Sequence, residues 1–137
     1  MPLVDPVKLV QTAFTELTSN TTTTSGTFVN LLTLTITTGA NAVIVHFSVS
    51  VNNSDIFFQQ QQQFQLLVDG VATRGCGVRT VNSNHALAGG LVYKTSVLSA
   101  GSHTFTIQWL TSGSTAQIRP ASTSTEHASL ILKEVTV

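Results

Sequence analysis

Charge is the scarcest thing in this chain. Its 137 residues hold six Lys plus Arg and six Asp plus Glu, 9% of the total and balanced to zero. Soluble domains usually carry about 25%. Clustered cations make a nucleic-acid-binding face or a polybasic membrane anchor, and six dispersed ones argue against either. Cys76 stands alone, which excludes an intrachain disulfide. Set in Arg74-Gly75-Cys76-Gly77, it reads as a small, partly buried residue rather than a reactive thiol. No apolar run approaches the roughly eighteen residues of a membrane helix. Met1-Pro2-Leu3-Val4-Asp5-Pro6 also lacks the basic and then apolar regions of a signal peptide. The expectation is a soluble protein without a signal peptide, made in the cytoplasm.

Hydroxyls and amides take the place of the missing charges. Ser and Thr make up roughly a quarter of the residues, woven into alternating stretches such as Leu32-Thr33-Leu34-Thr35-Ile36-Thr37. Period-two alternation and abundant β-branched residues predict an all-β chain, a single-domain antiparallel β-sandwich over 1–137 with residues 1–6 as a short extended N-terminal arm. Strands are expected within 7–17, over 27–37 and 43–51, through Phe64 to Val68, from Val71 onward, and over 90–98, 103–110, 116–119 and 127–135. The polar segment from Ser19 to Gly26 is expected as a loop, as is Pro120 to Thr125. Asp69-Gly70 is the strongest hairpin signal. Gly75, Gly77, Gly89 and Gly90 mark bulges or bends, and Gly101 the left-handed position of a tight turn.

The same alternation assigns faces. Val45, Phe47 and Val49 are expected to meet Phe105, Ile107 and Trp109 from the opposing sheet, and Phe58, Phe64, Leu66 and Val68 share a face with Gln60 and Gln62. Leu31 beside Leu32, Ile44 opposite Val43, Leu67 opposite Leu66 and Leu110 opposite Trp109 put apolar residues on both faces of several strands. A two-layer sandwich has one inner face per sheet, so the second apolar set calls for another partner, and low charge opposes self-association weakly.

No catalytic constellation emerges. His46, His85, His103 and His127 show no short-range ligand spacing and read as ordinary strand or interface residues, so no metal and no cofactor are expected. Asp69 is assigned to a turn, Glu16 and Glu134 to strand surfaces, and Asp5, Asp55 and Glu126 to turns or loops, with no facing carboxylate pair. Ser114 in Gly113-Ser114-Thr115 lacks the second glycine of a nucleophile elbow. The run Gln59 to Gln63 leaves three readings open: a solvated loop, a strand whose amides bond to each other and to copies across a symmetry axis, or a carbohydrate-binding surface.

The C-terminal third carries a recognisable pattern. It runs Ala100-Gly101-Ser102-His103-Thr104-Phe105-Thr106-Ile107-Gln108-Trp109, then Gly113-Ser114-Thr115-Ala116-Gln117-Ile118-Arg119, then Ala128-Ser129-Leu130-Ile131-Leu132-Lys133-Glu134-Val135. This resembles the closing strands of compact jelly-roll modules in tailed-phage virion proteins, similar in shape to trimeric jelly rolls of the tumour-necrosis-factor and complement type. The resemblance implies jelly-roll topology, a homotrimer and a place in the virion. The expected function is a non-enzymatic capsid decoration, cement or minor capsid protein, with the major capsid protein or another virion protein as partner. The alternative is the receptor- or carbohydrate-binding head of a phage fibre, facing a host surface glycan. No functional residue carries over from the resemblance, because such families bind through variable loops, so any binding residues stay unassigned.

Overall fold

Alternating residues with one buried face must pair into sheets and stack, and this chain does so twice. The computed structural model describes residues 6–55, 59–80, 86–119 and 127–136. Its strands are β1 (Leu9–Glu16), β2 (Thr21–Thr23), β3 (Val29–Thr38), β4 (Ala42–Asn53), β5 (Gln60–Val68), β6 (Val71–Thr80), β7 (Leu87–Lys94), β8 (Gly101–Thr111), β9 (Ala116–Ile118) and β10 (Ala128–Val135). The first sheet runs β1-β10-β4, with β7 on the other edge of β4 and the short β9 and β2 continuing from the end of β4. The second runs β3-β8-β5-β6. All pairings are antiparallel. The chain is an all-β sandwich, and it changes sheet at most connections; β5 to β6 is a direct hairpin.

The expected core is in place. Val45, Phe47 and Val49 from β4, and Phe105, Ile107 and Trp109 from β8, are all buried and belong to one cluster between the sheets. Phe64 lies between the layers' aromatics: its ring centroid is 5.4 Å from Phe47, tilted, and 6.2 Å from Trp109, stacked. Offset contacts of this kind add to area burial. Asp69 and Gly70 both take positive φ, 50° and 82°, the conformation of a two-residue hairpin whose twist matches its strands. Gly101 also has positive φ, at 143°.

Several expectations need correction. The Thr run is not wholly loop, because Thr21–Thr23 pairs with Ala116–Ile118 as a small two-stranded extension. Of the three readings of the glutamine run, the loop does not hold for Gln60 to Gln63: they form the first half of β5, paired with β6 throughout and with β8 from Gln62 onward. Glutamine has weak strand preference, but two paired neighbours and the alternating burial of Gln62, Phe64 and Leu66 override it. β7 starts at Leu87 and ends at Lys94, short of Leu98. Thr95 turns inward there, its hydroxyl accepting from the Val43 amide at 2.9 Å. Gly89 and Gly90 are not bulges, since their register with β4 is unbroken. They are close approaches instead. A Cβ on Gly89 would lie 2.5 Å from Val78 Cγ2, and one on Gly90 2.5 Å from the Phe47 carbonyl oxygen. Phe58 and the loop from Pro120 to Thr125 lie outside the described residues, as does the expected arm apart from Pro6.

Candidate functional site

Each sheet has one face left over after the core is built, and the two faces differ in chemistry. On the second sheet the outward positions of β5 are Gln61, Gln63 and Gln65, alternating with the buried Gln62, Phe64 and Leu66. Register sets Gln65 beside Gln108 of β8 and Gly75 of β6, and Gln108 beside Asn30 of β3. The amides link in a chain across three strands: Gln65 Nε2 donates to Gln108 Oε1 at 2.7 Å, and Gln108 Nε2 donates to Asn30 Oδ1 at 2.9 Å. Gln63 lies beside Gly77, and the missing side chains of Gly75 and Gly77 leave an open groove of about 540 Å³ alongside the glutamines. Phe28 and Arg74 also line it. The Arg74 guanidinium sits 5.7 Å from the centre of the Tyr93 ring, a cation–π contact between β6 and β7.

On the first sheet one lateral row crosses four strands, Phe14, Ile131, His46 and Val92. Phe14 is 54% exposed and Val92 59%. The next row holds Thr12, Lys133, Ile44 and Lys94. The sheet's inner side already packs the core, and among the described residues no element covers this row.

Two titratable sites were misplaced by sequence reasoning. Glu134 is not a surface residue: it is 1% exposed and falls on the same side of β10 as Leu130 and Leu132. Its Oε1 accepts from the Gly39 amide at 2.8 Å and from Asn41 Nδ2 at 2.7 Å, and Gln11 donates to Oε2. The Asn41 and Gln11 bonds outweigh burial and hold the carboxyl below its ordinary range. The alternation Leu130-Leu132-Glu134 was the available signal, overlooked because carboxylates are rarely buried.

His103 is likewise more than a strand residue. Its Nδ1 is 2.7 Å from Asp69 Oδ2 and its Nε2 is 2.7 Å from the Ser99 carbonyl. Both ring nitrogens face acceptors, so the imidazolium satisfies the site and the neutral ring leaves one contact without a proton. The bond to Asp69, then that to Ser99, raises the histidine's pKa, while the His103 bond and the Thr104 amide lower that of Asp69. Asp69 thus does more than make a turn: it pins the β5–β6 hairpin to the start of β8, with Thr104 N donating to Oδ1 at 2.8 Å.

The other candidates stay dispersed. His46 lies in the apolar row, and His127 Nε2 is 2.9 Å from Ser48 Oγ. His85, Asp5 and Glu126 lie outside the described residues. Asp55 bonds Gln60 Nε2 and the Ser114 hydroxyl at one end of the sandwich. Glu16 is exposed on β1. Cys76 is half-buried on β6, and desolvation raises its pKa, which keeps the thiol protonated. No group of three or more His, Cys, Asp or Glu able to hold a metal ion occurs among the described residues.

No protein-family model matches the chain, and no curated protein shows significant similarity to it. Among solved structures it is similar to dimeric latent PorU from Porphyromonas gingivalis, at 11% identity and a TM-score of 0.49. That match spans 93% of this chain but 13% of the PorU chain. It is also similar to the C-terminal domain of EclA, described as a sugar-binding protein, at 15% identity and a TM-score of 0.40 over 97% of this chain and 83% of that one. Neither likeness carries a functional argument.

Proposed function

We propose that this chain is a non-enzymatic structural module of a phage virion, a capsid decoration, cement or minor capsid protein that works as a homotrimer. The observation that carries the assembly reading is the row Phe14, Ile131, His46 and Val92 across the outward side of the first sheet. In a chain with 9% charged residues, little electrostatic repulsion keeps such faces apart. A closed ring is the expected outcome, since an open head-to-tail contact would grow filaments. The strand order β1-β10-β4-β7 over β3-β8-β5-β6, with the chain passing repeatedly between layers, supports the jelly-roll reading. The number three and the particle context rest on the resemblance of the C-terminal strands to virion jelly rolls. Each trimer would bridge neighbouring shell subunits, and burying about 1,200–2,000 Å² per contact would stabilise the shell by mass action.

Light scattering on the purified chain tests the assembly directly. Three times the 14.5 kDa chain mass is expected; a monomer persisting at high concentration would end the assembly reading, and a dimer would end only its trimeric form. A low-resolution map of the particle tests location. The alternative, a receptor- or glycan-binding head of a fibre, is favoured by the amide-lined groove on the opposite face. Hundreds of copies per particle mean decoration, whereas a few dozen or fewer mean a fibre.

A further inference from the structure

We infer that the groove between β5 and β6 is a binding site for a neutral oligosaccharide chain, with Gln61, Gln63 and Gln65 as its polar contacts and Phe28 as its apolar one. This deepens the binding-head reading and is independent of how the first sheet assembles. Three features of the groove converge on that ligand class.

The first is unused hydrogen-bonding capacity. Among the described residues, the side-chain amides of Gln61 and Gln63 bond to no protein group, and Gln65 uses its Nε2 on Gln108. Each amide offers donors and an acceptor side by side, the pairing that adjacent hydroxyls or an acetamido group complete. Alternate positions on one strand stand roughly 7 Å apart, so the three amides form a linear track suited to a chain of repeated units.

The second is charge. Among the described residues the groove lining includes no carboxylate, and its cation, Arg74, lies against the Tyr93 ring. Arg79, exposed beside Gln61, stands at one end of the track; along the track itself a neutral polyol finds matched polar groups.

The third is shape and stiffness. Gly75 and Gly77 leave room beside the glutamines, and Phe28 supplies an apolar surface for the C–H side of a sugar ring. The site is built on paired strands, and the Gln65–Gln108–Asn30 amide chain holds Gln65 in place before any ligand arrives. Groups ordered in advance lose less entropy on binding.

The test is calorimetric titration of the full chain with chitohexaose, maltohexaose and a galactohexaose, beside an acidic oligogalacturonide. Binding of at least one neutral probe is expected. Gln63→Leu, on the outward face, should weaken it by about tenfold or more. Gly77→Val should do the same by filling the groove, since a Cβ there already lies 3.3 Å from Gln61 Nε2. Both variants should keep the oligomeric mass and melting temperature of the parent; if Gly77→Val misfolds, Gln63→Leu and Gln61→Leu decide. The inference is overturned if no neutral probe binds at millimolar concentration, if binding survives these substitutions, or if only the acidic probe binds and does so through Arg74. Light scattering on the same samples reports the assembly face separately, so failure of one reading is distinguishable from failure of the other.

Discussion

Three polar sites show how a nearly uncharged chain uses its few strong interactions. Glu134 is a buried carboxylate held by three donors, so Glu134→Gln removes the charge and replaces one acceptor oxygen with an NH2 that faces those donors. A loss of about 2–3 kcal/mol is expected in denaturant unfolding. Because its pKa is lowered in the fold, Glu134 stabilises above the ordinary carboxylate range, and that contribution fades as pH falls through the depressed value. The His103–Asp69 pair has a different window. The raised histidine stabilises fully below its unfolded pKa of about 6.5 and loses this as pH rises through the folded value. The lowered aspartate stabilises above about 3.9 and loses this as pH falls. The pair therefore contributes most between roughly pH 4 and 6.5. The melting-temperature gap between parent and His103→Gln should be widest there and shrink above neutrality; a gap that does not move with pH would refute the imidazolium assignment. Gln62 is the opposite case, fully buried with Nε2 3.3 Å from the Thr111 hydroxyl and Oε1 without a partner among the described residues. That hydroxyl keeps Asn53 and Gly113 as partners without it. Gln62→Met should thus be neutral or stabilising by up to about 1 kcal/mol.

Elements depend on contacts that only their neighbours define. β4 is the centre of the first sheet, paired with β10 and β7 and facing β5 and β8 through Phe47. Truncating Phe47 or Phe105 to Ala should cost about 3–5 kcal/mol in equilibrium unfolding. A change within about half a kcal/mol would mean the two layers do not meet there. β7 lies against β4 only because Gly90 has no side chain, since the atom a Cβ would strike is backbone and cannot rotate away. Gly90→Ala must part the two strands, and a loss of about 1–3 kcal/mol is expected from thermal melts. At Gly89 the obstruction is the Val78 side chain, so the double variant Gly89→Ala with Val78→Ala should recover part of the single variant's loss.

At the scale of the whole molecule, the two outward faces point in opposite directions because a sandwich has two sheets. If copies meet through the first sheet, the amide groove of the second is left facing outward, so the proposed assembly and the proposed glycan binding are compatible in one molecule. Phe14→Asp combined with Val92→Asp places charge in the proposed contact at two exposed positions. Light scattering should then fall from three chain masses to one, with the melting profile still cooperative. Retention of the oligomer in this variant would move the contact to another face.

The sequence by itself determined the β class, the alternation of faces, the Asp69-Gly70 hairpin and the meeting of Val45, Phe47 and Val49 with Phe105, Ile107 and Trp109. Each of these follows from local preference or a period of two, which a linear string displays. Only the tertiary structure decided that the glutamine run is a strand, because pairing with β6 and β8 overrode a weak propensity. It also decided the partners of Glu134: Gln11 is 123 residues away and Asn41 is 93. The His103–Asp69 contact, the closeness of Gly90 to Phe47 and the row from Phe14 to Val92 likewise join distant segments. Register between strands far apart in sequence is set by the packing of the whole core, and no local pattern encodes it.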